Sequence, residues 1–426
     1  MSRLPSGWRA GILSDVVSFV RNGIFARRPT DEPDGVPILR ISAVRDGKLD
    51  LSARKYVTGL DAATTSKYAI KPDDLLFARY NGSRDLVGRC ARVPDHDEVI
   101  VHPDKLIRVV PRGDKIDSRF LALLAETQEV RRFIEPRIKT TAGQSGITGK
   151  DIREIPVCYP HIAEQRRVVD ILEDHLSRLN AATTTLDVLS SRVTALRWSV
   201  LASEFAELTA TNWPTCSVES LVPRDRKIAY GVLVPGPDVP GGIPMVRVGD
   251  IRDGAVDAPN LKRIAPGIDA KFPRTRLRGG EVLLSVVGTI GRTAVAPTSL
   301  SGANVARAVA VIPTRDDVSP YYVSYALQAP ANQRQLLNSA HEVARKTLNL
   351  EDVRRIGLPI PSRCQQDRIV ARIDAVLAEL GRIKAAAATG NRRSEGLRRA
   401  LLDAAFSGRL TGRASDMDMV EEMAGV

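Results

Sequence analysis

One plan occurs twice in this chain, and the second copy begins about 200 residues after the first. Residues 151–155, DIREI, match residues 352–356, DVRRI, at an offset of 201 residues. The preceding part repeats as well, because GVPILRI at 35–41 parallels GIPMVRV at 242–248. A period this long exceeds that of a solenoid, so the repeat predicts two duplicated domains.

Short apolar runs bounded by glycine, proline or aspartate predict β-strands in each copy. Examples are Val36–Ile41, Leu75–Ala78 and Leu106–Val110. Helical spacing predicts one helix over Arg119–Ile134 and a matching one over Tyr321–Leu337. We therefore expect two α+β domains, each with a mostly antiparallel or mixed sheet.

Each copy ends in a long segment whose apolar residues step by three and four, which is typical of a coiled-coil helix. The first lies between Pro160 and Pro214, and the second follows Pro361. The predicted seams include Leu189, Val193, Leu196 and Val376. We expect the two helices to pair as an antiparallel coiled coil that separates the two globular domains. The alternative is that each amphipathic helix packs on its own domain.

These patterns divide the chain into five segments. The predicted boundaries are 1–160 for the first globular domain, 161–211 for the first helical region, 212–361 for the second globular domain, 362–413 for the second helical region, and 414–426 for a tail that we expect to be disordered.

The charge balance is basic, with 62 Lys+Arg against 50 Asp+Glu and a formal net charge of +12. Such a surplus favours polyanionic partners, chiefly nucleic acid, although a basic protein without such a partner fits it equally. Aromatic residues make up only 4% of the chain, which favours duplex DNA over single strands that stack on aromatic rings. Two related basic modules predict a bipartite, asymmetric DNA target with an interrupting spacer.

Chemistry-bearing patterns are missing from the sequence. The four cysteines are scattered without a CxxC pair, which indicates neither a zinc site nor a disulfide framework and suits a reducing cytoplasm. No nucleophile–base arrangement and no nuclease carboxylate cluster can be assembled. We expect no catalytic residue, no metal site and no membrane-spanning segment.

From Trp8 to about Leu410 the chain resembles the specificity subunits of type I restriction–modification enzymes. The resemblance rests on the order of several pieces: GVPILRI at 35–41, DDLLFAR at 73–79, ARKTLNLEDV at 344–353, PSRCQQDRIV at 361–370 and LRRALLDAAFSGRL at 397–410.

The resemblance implies two target-recognition domains, at 1–160 and 212–361, and a non-catalytic role within a larger complex. That complex would contain two methyltransferase subunits acting on adenine and restriction subunits with motor and endonuclease activity. The partners, and not this chain, would bind S-adenosylmethionine, ATP and Mg2+. Docking of the partners on the helices would involve Arg167, Glu173, Arg368 and Phe406.

Candidate DNA contacts are polar side chains in loops beside the predicted strands. Arginine and lysine pair with guanine, and asparagine and glutamine pair with adenine, although each could contact only a phosphate or solvent. The candidates are Arg79, Asn81, Ser83, Arg84, Arg89, Lys105, Lys139 and Gln144 in the first copy, and Thr289, Arg292, Asn304, Arg307, Arg345 and Lys346 in the second.

Two other functions stay open on the sequence. A self-sufficient nuclease with duplicated DNA-binding domains would cut DNA with Mg2+ alone. A non-specific coiled-coil adaptor would bind every DNA sequence equally and lose that affinity with salt.

Overall fold

The computed structural model describes residues 5–45, 47–141, 143–210, 213–252, 254–342, 346–410 and 415–425. The chain forms two compact units. Unit 1 comprises Met1–Leu186 and Ala388–Val426, and unit 2 comprises Asp187–Ala387. Each unit therefore combines one globular copy with part of both long helices.

Strands and helices recur in the same order in the two copies. The strands are β1 (Arg9–Ile12), β2 (Val17–Asn22), β3 (Val36–Leu39), β4 (Val44–Arg45), β5 (Lys48–Leu49), β6 (Arg54–Val57), β7 (Leu75–Ala78), β8 (Tyr80–Asn81), β9 (Cys90–Arg92), β10 (Leu106–Pro111), β11 (Lys139–Thr141), β12 (Gln144–Gly146), β13 (Pro156–Tyr159), β14 (Thr215–Ser217), β15 (Ala229–Tyr230), β16 (Ile243–Val246), β17 (Ile251–Arg252), β18 (Ala255–Val256), β19 (Lys262–Ile264), β20 (Val282–Ser285), β21 (Thr293–Val295), β22 (Asn304–Val305), β23 (Val309–Ile312), β24 (His341–Glu342), β25 (Lys346–Thr347) and β26 (Gly357–Pro359). The helices are α1 (Ala62–Tyr68), α2 (Ser118–Ala125), α3 (Gln128–Ile134), α4 (Gly149–Arg153), α5 (Ile162–Ala210), α6 (Pro266–Asp269), α7 (Pro320–Gln328), α8 (Pro330–Asn338), α9 (Leu350–Arg355), α10 (Arg363–Phe406) and α11 (Ser415–Ala424).

A four-stranded antiparallel sheet lies at the centre of each globular copy. Its order is β2-β10-β7-β9 in unit 1 and β15-β23-β20-β21 in unit 2. All residues of β7 and β20 are buried, because both faces of these strands are covered and both must therefore be apolar. The predicted α+β class with mostly antiparallel sheets is confirmed.

The first and last strands of each globular copy pair with each other. β1 pairs with β13 in unit 1, and β14 pairs with β26 in unit 2, both antiparallel. Since β13 leads directly into α5 and β26 into α10, the first strand of each copy pairs with the strand that directly precedes its long helix.

A buried glutamine fixes the start of each long helix, and the sequence repeats it at the 201-residue offset. Gln165 accepts a hydrogen bond from the Asp117 backbone N–H at 2.9 Å and donates to the Lys115 carbonyl at 3.0 Å. In unit 2, Gln366 accepts from the Ser319 backbone N–H at 2.8 Å. Because a buried amide must be fully hydrogen-bonded, each glutamine ties its long helix to the segment that begins α2 or α7.

The single helix predicted in each copy is wrong, since both segments form two helices. In unit 1 the Thr127 side chain accepts the Val130 N–H and so starts α3 after α2 has ended. In unit 2, Pro330 follows Ala329 and begins α8. Capping and proline chemistry interrupt a run whose apolar spacing alone suggests continuity.

The two long helices pack against each other, antiparallel, within each unit. In unit 1, Arg398 contacts Asn180, and a Cβ on Gly390 would lie only 2.8 Å from the Leu186 side chain. In unit 2, Arg372 forms an ion pair with Glu204. From Asn180 through Leu186 to Glu204 along α5, the contacted residues of α10 run backwards from Arg398 through Gly390 to Arg372. This order confirms the antiparallel coiled coil.

The predicted seam is wrong at three positions. Leu189, Leu196 and Val376 are 39%, 52% and 41% exposed. Among the described α5 side chains of unit 2, Val193 of the predicted seam is buried, and so are Leu201 and Phe205, which the predicted seam does not include. A real α-helix drifts relative to a strict heptad, so spacing alone misassigns one edge of the apolar stripe.

The segment expected to be a disordered tail contains α11. Val420 is fully buried in the core of unit 1, and Met417, Met419 and Met423 pack against that core. Glu421 forms an ion pair with Arg393 of α10 at 3.5 Å. The acidic, methionine-rich composition is therefore that of an amphipathic helix with one apolar face.

Removing residues 411–426 should lower the melting temperature of unit 1. Burial of one valine side chain stabilises a fold by about 1.5–3 kcal/mol, which corresponds to roughly 3–12 °C in a domain of this size. Calorimetry of the full-length and truncated chains measures the shift, with Val420→Ala expected to reproduce part of it. Exposed Glu422 supplies the control, because Glu422→Ala should leave the transition in place. An unshifted transition in the truncated chain would mean that α11 does not stabilise unit 1.

Candidate nucleic-acid interface

A small three-stranded sheet in unit 1 brings together residues that are distant in sequence. β11 pairs with β12, and β12 pairs with β8. Lys139 and Gln144 are exposed, and Asn81 is partly exposed. We call Asn81, Lys139 and Gln144 the hairpin surface of unit 1, which presents an amide, an ammonium and a second amide to solvent.

Two further candidates lie beside each other near this surface. The Arg79 backbone N–H donates to the Lys105 carbonyl at 2.8 Å. The Arg79 guanidinium lies 4.6 Å from the centre of the Tyr80 ring and donates one hydrogen bond to the Asp104 carbonyl. Its Nε is buried without an acceptor among the described residues, whereas Lys105 is exposed. Arg79 is thus oriented by its surroundings, and Lys105 is open to solvent.

The loop after β8 holds the remaining candidates of unit 1. The Ser83 N–H donates to the Asn81 side chain at 3.0 Å, which shapes the turn. Arg84 donates to the Glu135 carbonyl at 2.7 Å, and Arg89 donates to the Asp85 carbonyl at 3.1 Å. Both guanidiniums are exposed and have five donors each, so these contacts leave donors for a ligand.

Unit 2 builds a corresponding surface from the β24–β25 hairpin. The Gly288 N–H donates to the Lys346 carbonyl at 3.1 Å, which places Lys346 beside exposed Thr289. We call Thr289 and Lys346 the hairpin surface of unit 2. Arg307 is exposed elsewhere in this unit, and Arg345 lies outside the described residues.

The prediction for Asn304 is wrong, because its side chain is fully buried. Its amide donates to the Asp269 carboxylate at 2.8 Å, and its oxygen accepts from the Thr275 hydroxyl at 2.7 Å. Both of these contacts lie inside unit 2 and the side chain is buried, so Asn304 stabilises the fold and is not exposed to a DNA base.

Comparison with known proteins decides the family. Residues 5–188 and 237–387 match the family model described as the type I restriction modification DNA specificity domain. These two matches cover most of the chain. The chain belongs to this family.

Two relatives and one solved structure illustrate the similarity. The Escherichia coli type I restriction enzyme EcoBI specificity subunit is 26% identical over 445 residues, which cover 96% of this chain and 88% of that protein. The EcoKI specificity subunit of Escherichia coli strain K12 is 32% identical over 197 residues, covering 46% and 42%. A chain from a solved structure of a type I restriction–modification system has a TM-score of 0.69 at 20% identity, covers 96% of this chain and is itself covered completely. That likeness shows a shared fold.

The candidate docking residues of this specificity chain differ in their surroundings. Arg167 is paired with Glu164 at 2.7 Å, and the hydrogen bond to Glu164 raises the pKa of Arg167 more than the charge of Asp416 in α11 does. Glu173 is paired with Arg119 at 3.1 Å, whereas Arg368 is exposed. Nothing tests these three residues as docking contacts, so they stay predictions.

Phe406 has a clear structural role. Its ring lies 5.0 Å from the Phe120 ring in an edge-to-face arrangement, and the partly buried side chain packs against the core of unit 1. Phe406 thus packs the C-terminal end of α10 onto the first globular copy, and its docking role stays a prediction.

The residues predicted from the sequence did not include two arginines that occupy equivalent positions in the two units. Arg45 and Arg252 each begin the tripeptide RDG at an offset of 207 residues, next to the matched GVPILRI and GIPMVRV segments. Extending that alignment by a few residues reveals the pair.

None of the described helices is long and apolar enough to cross a membrane.

Proposed function

We propose that this chain is the DNA-recognition subunit of a type I restriction–modification complex. Unit 1 reads one half of a bipartite, asymmetric DNA site, and unit 2 reads the other half. The observation that carries the proposal is one scaffold built twice with different polar groups on its hairpin surfaces.

The composition of the two surfaces supports different base preferences. The hairpin surface of unit 1 offers Asn81, Lys139 and Gln144, whereas that of unit 2 offers Thr289 and Lys346. Amide side chains suit adenine and lysine suits guanine, so the two sets read different patterns in the major groove. The resulting target is asymmetric although its two readers share a fold.

The chain acts by directing partners to this site. Two methyltransferase subunits that modify adenine dock along the helices, and restriction subunits join them as motor and endonuclease. The partners supply the sites for S-adenosylmethionine, ATP and Mg2+. Exposed side chains on α5 and α10, such as Arg368 and Leu196, leave the outer helix faces accessible for docking.

Co-expression with a methyltransferase subunit of the same restriction–modification system tests the assembly. We expect a complex with two methyltransferase copies per chain, measured by light scattering after size-exclusion chromatography. The isolated chain with Mg2+ alone should leave plasmid DNA intact. Cleavage by the isolated chain would favour the nuclease alternative, and equal affinity for all sequences in the assembled complex would favour the adaptor.

A further inference from the structure

A basic cavity of about 620 Å³ opens in unit 2 and adjoins the hairpin surface of that unit. Three arginines from different elements line it: Arg197 of α5, Arg252 of β17 and Arg292 in the turn before β21. Trp198, which is 42% exposed, forms part of its wall. None of the described lining residues is acidic.

Neutral oxygen atoms orient all three guanidiniums. Arg197 donates to the Gln328 side-chain oxygen at 2.7 Å, and Arg252 donates to the Gly249 carbonyl at 3.1 Å. Arg292 donates to the Ile251 carbonyl at 3.4 Å. These bonds hold the side chains without cancelling their charge, and each guanidinium has five donors, so donors remain for a shared anion.

The same three positions carry arginine in unit 1, although the two copies have diverged elsewhere. Leu196-Arg197 corresponds to Leu397-Arg398, the RDG at 252–254 to the RDG at 45–47, and Gly291-Arg292 to Gly88-Arg89. Part of the spatial arrangement also repeats within unit 1. Arg398 donates to the Glu126 carboxylate at 2.6 Å, and a Cβ on Gly47 would collide with that carboxylate. In both units the helix arginine, the residue at the end of α2 or α7 and the glycine of the RDG tripeptide therefore lie together.

One residue distinguishes the two copies. Glu126 in unit 1 forms an ion pair with Arg398, whereas Gln328 occupies the corresponding place beside Arg197 and carries no charge. The carboxylate neutralises one of the three arginines in unit 1. In unit 2, the neutral Gln328 leaves the charge of Arg197 in place beside those of Arg252 and Arg292.

We propose that the three-arginine site binds phosphate groups of the DNA backbone, and that the copy in unit 2 binds them more strongly. The inference rests on the proposed function, in which the chain binds duplex DNA. Planar guanidiniums match the oxygen geometry of phosphate and hydrogen-bond it in pairs. Because the same arginine positions occur in both units, their ligand should be the same at two half-sites of different sequence. Within DNA, only the sugar–phosphate backbone is independent of base sequence.

The position of the cavity supports a DNA ligand over an acidic protein segment. Thr289 belongs to the hairpin surface of unit 2 and also lines the cavity. A duplex whose bases are read at the hairpin surface therefore brings its backbone close to Arg292. The arginines fix the register of the duplex, and the hairpin surface supplies the base preference.

Salt-dependent binding of the full-length chain to a mixed-sequence 40-base-pair duplex tests the inference. Arg252→Gln and Arg292→Gln should each weaken binding and reduce the slope of log affinity against log salt by about 1, as expected for one lost phosphate contact. The loss should be the same for duplexes of unrelated sequence. Arg355→Gln removes the same charge from an exposed ion pair with Glu351 and should leave the slope unchanged.

Exchange of the one distinguishing residue gives a reciprocal test that keeps all arginines. Gln328→Glu should weaken binding in unit 2 in the same salt-dependent way, and Glu126→Gln should strengthen binding in unit 1. Each substitution introduces the residue type that the other copy already carries, and melting curves report whether folding is intact.

The outcomes separate this inference from the proposed function. Sequence-preferring binding by the wild type with unchanged slopes in all variants would overturn the phosphate site alone. Unchanged DNA binding with lost methyltransferase binding would assign the site to an acidic protein segment and overturn the inference. Absence of any DNA binding by the wild type would overturn both.

Discussion

Exchanging the first globular domain for that of another family member should change one half of the recognised DNA site and leave the other half unchanged. The hairpin surface of unit 1 consists of Asn81, Lys139 and Gln144, and that of unit 2 consists of Thr289 and Lys346, so each surface lies within one globular copy. Affinity for the original site should fall by roughly 10³-fold or more, towards the level of non-specific binding. Footprinting or methylation mapping of the hybrid measures the change.

The structure defines where this exchange should be made. β13 ends at Tyr159 and pairs with β1, so a junction at residue 155 would combine strands from two different proteins. A junction after residue 159 keeps the pair intact. The matched control exchanges residues 215–359, which run from β14 to β26, and should change only the other half-site. Changes in both half-sites from either hybrid would contradict modular recognition.

Replacing Arg108 with methionine should destabilise unit 1 by about 3–5 kcal/mol, because it leaves a buried carboxylate without its partner. The Arg108 Nε and the Asp74 carboxylate are 2.6 Å apart, and their side chains are 6% and 3% exposed. Burial raises the pKa of Asp74, and the guanidinium of Arg108 opposes that rise. Without Arg108 the carboxylate must be buried as an unpaired charge or become protonated.

The pH dependence of this loss follows from the raised pKa. A protonated Asp74 carries no charge to bury, so the variant should be closest to the wild type at acidic pH. Its deficit should grow as the pH rises through the elevated pKa of the folded state. Urea unfolding between acidic and neutral pH measures both the loss and its direction.

A second substitution separates charge from packing in this experiment. Adding Asp74→Asn to Arg108→Met should recover part of the lost stability, because it removes the unpaired charge. Unit 2 serves as the internal control because its own buried carboxylate, Glu281, occupies the position that corresponds to Asp74. Glu281 pairs with Arg226 at 2.9 Å, and neither residue is changed in these variants. A loss below about 1 kcal/mol for Arg108→Met would show that the buried pair is not required.

Local patterns in the sequence predicted the elements that depend on local physics. Both long helices follow from runs without proline in which apolar residues recur every three or four positions, and β7 and β20 follow from continuous apolar runs. The duplicated sequence predicted two units of one fold, because equivalent sequences bury equivalent faces.

The candidate site depended on contacts that no local pattern specifies. Lys139 and Gln144 reach Asn81 only through the pairing of β12 with β8. Asn304 lies among polar and small residues in the sequence but is enclosed by Asp269 and Thr275 in the fold. Strand pairing and burial, rather than residue type, decide which polar groups face a ligand.

Methylation mapping tests the central claim most directly. This chain would be co-expressed with a methyltransferase subunit of the same system in a host without other adenine methylation, and methylated bases would be located across the genome. We expect methylation confined to one split, asymmetric motif with a spacer of constant length. An assembled, active complex that methylates a continuous motif, or that shows no sequence preference, would contradict recognition by two different half-site readers.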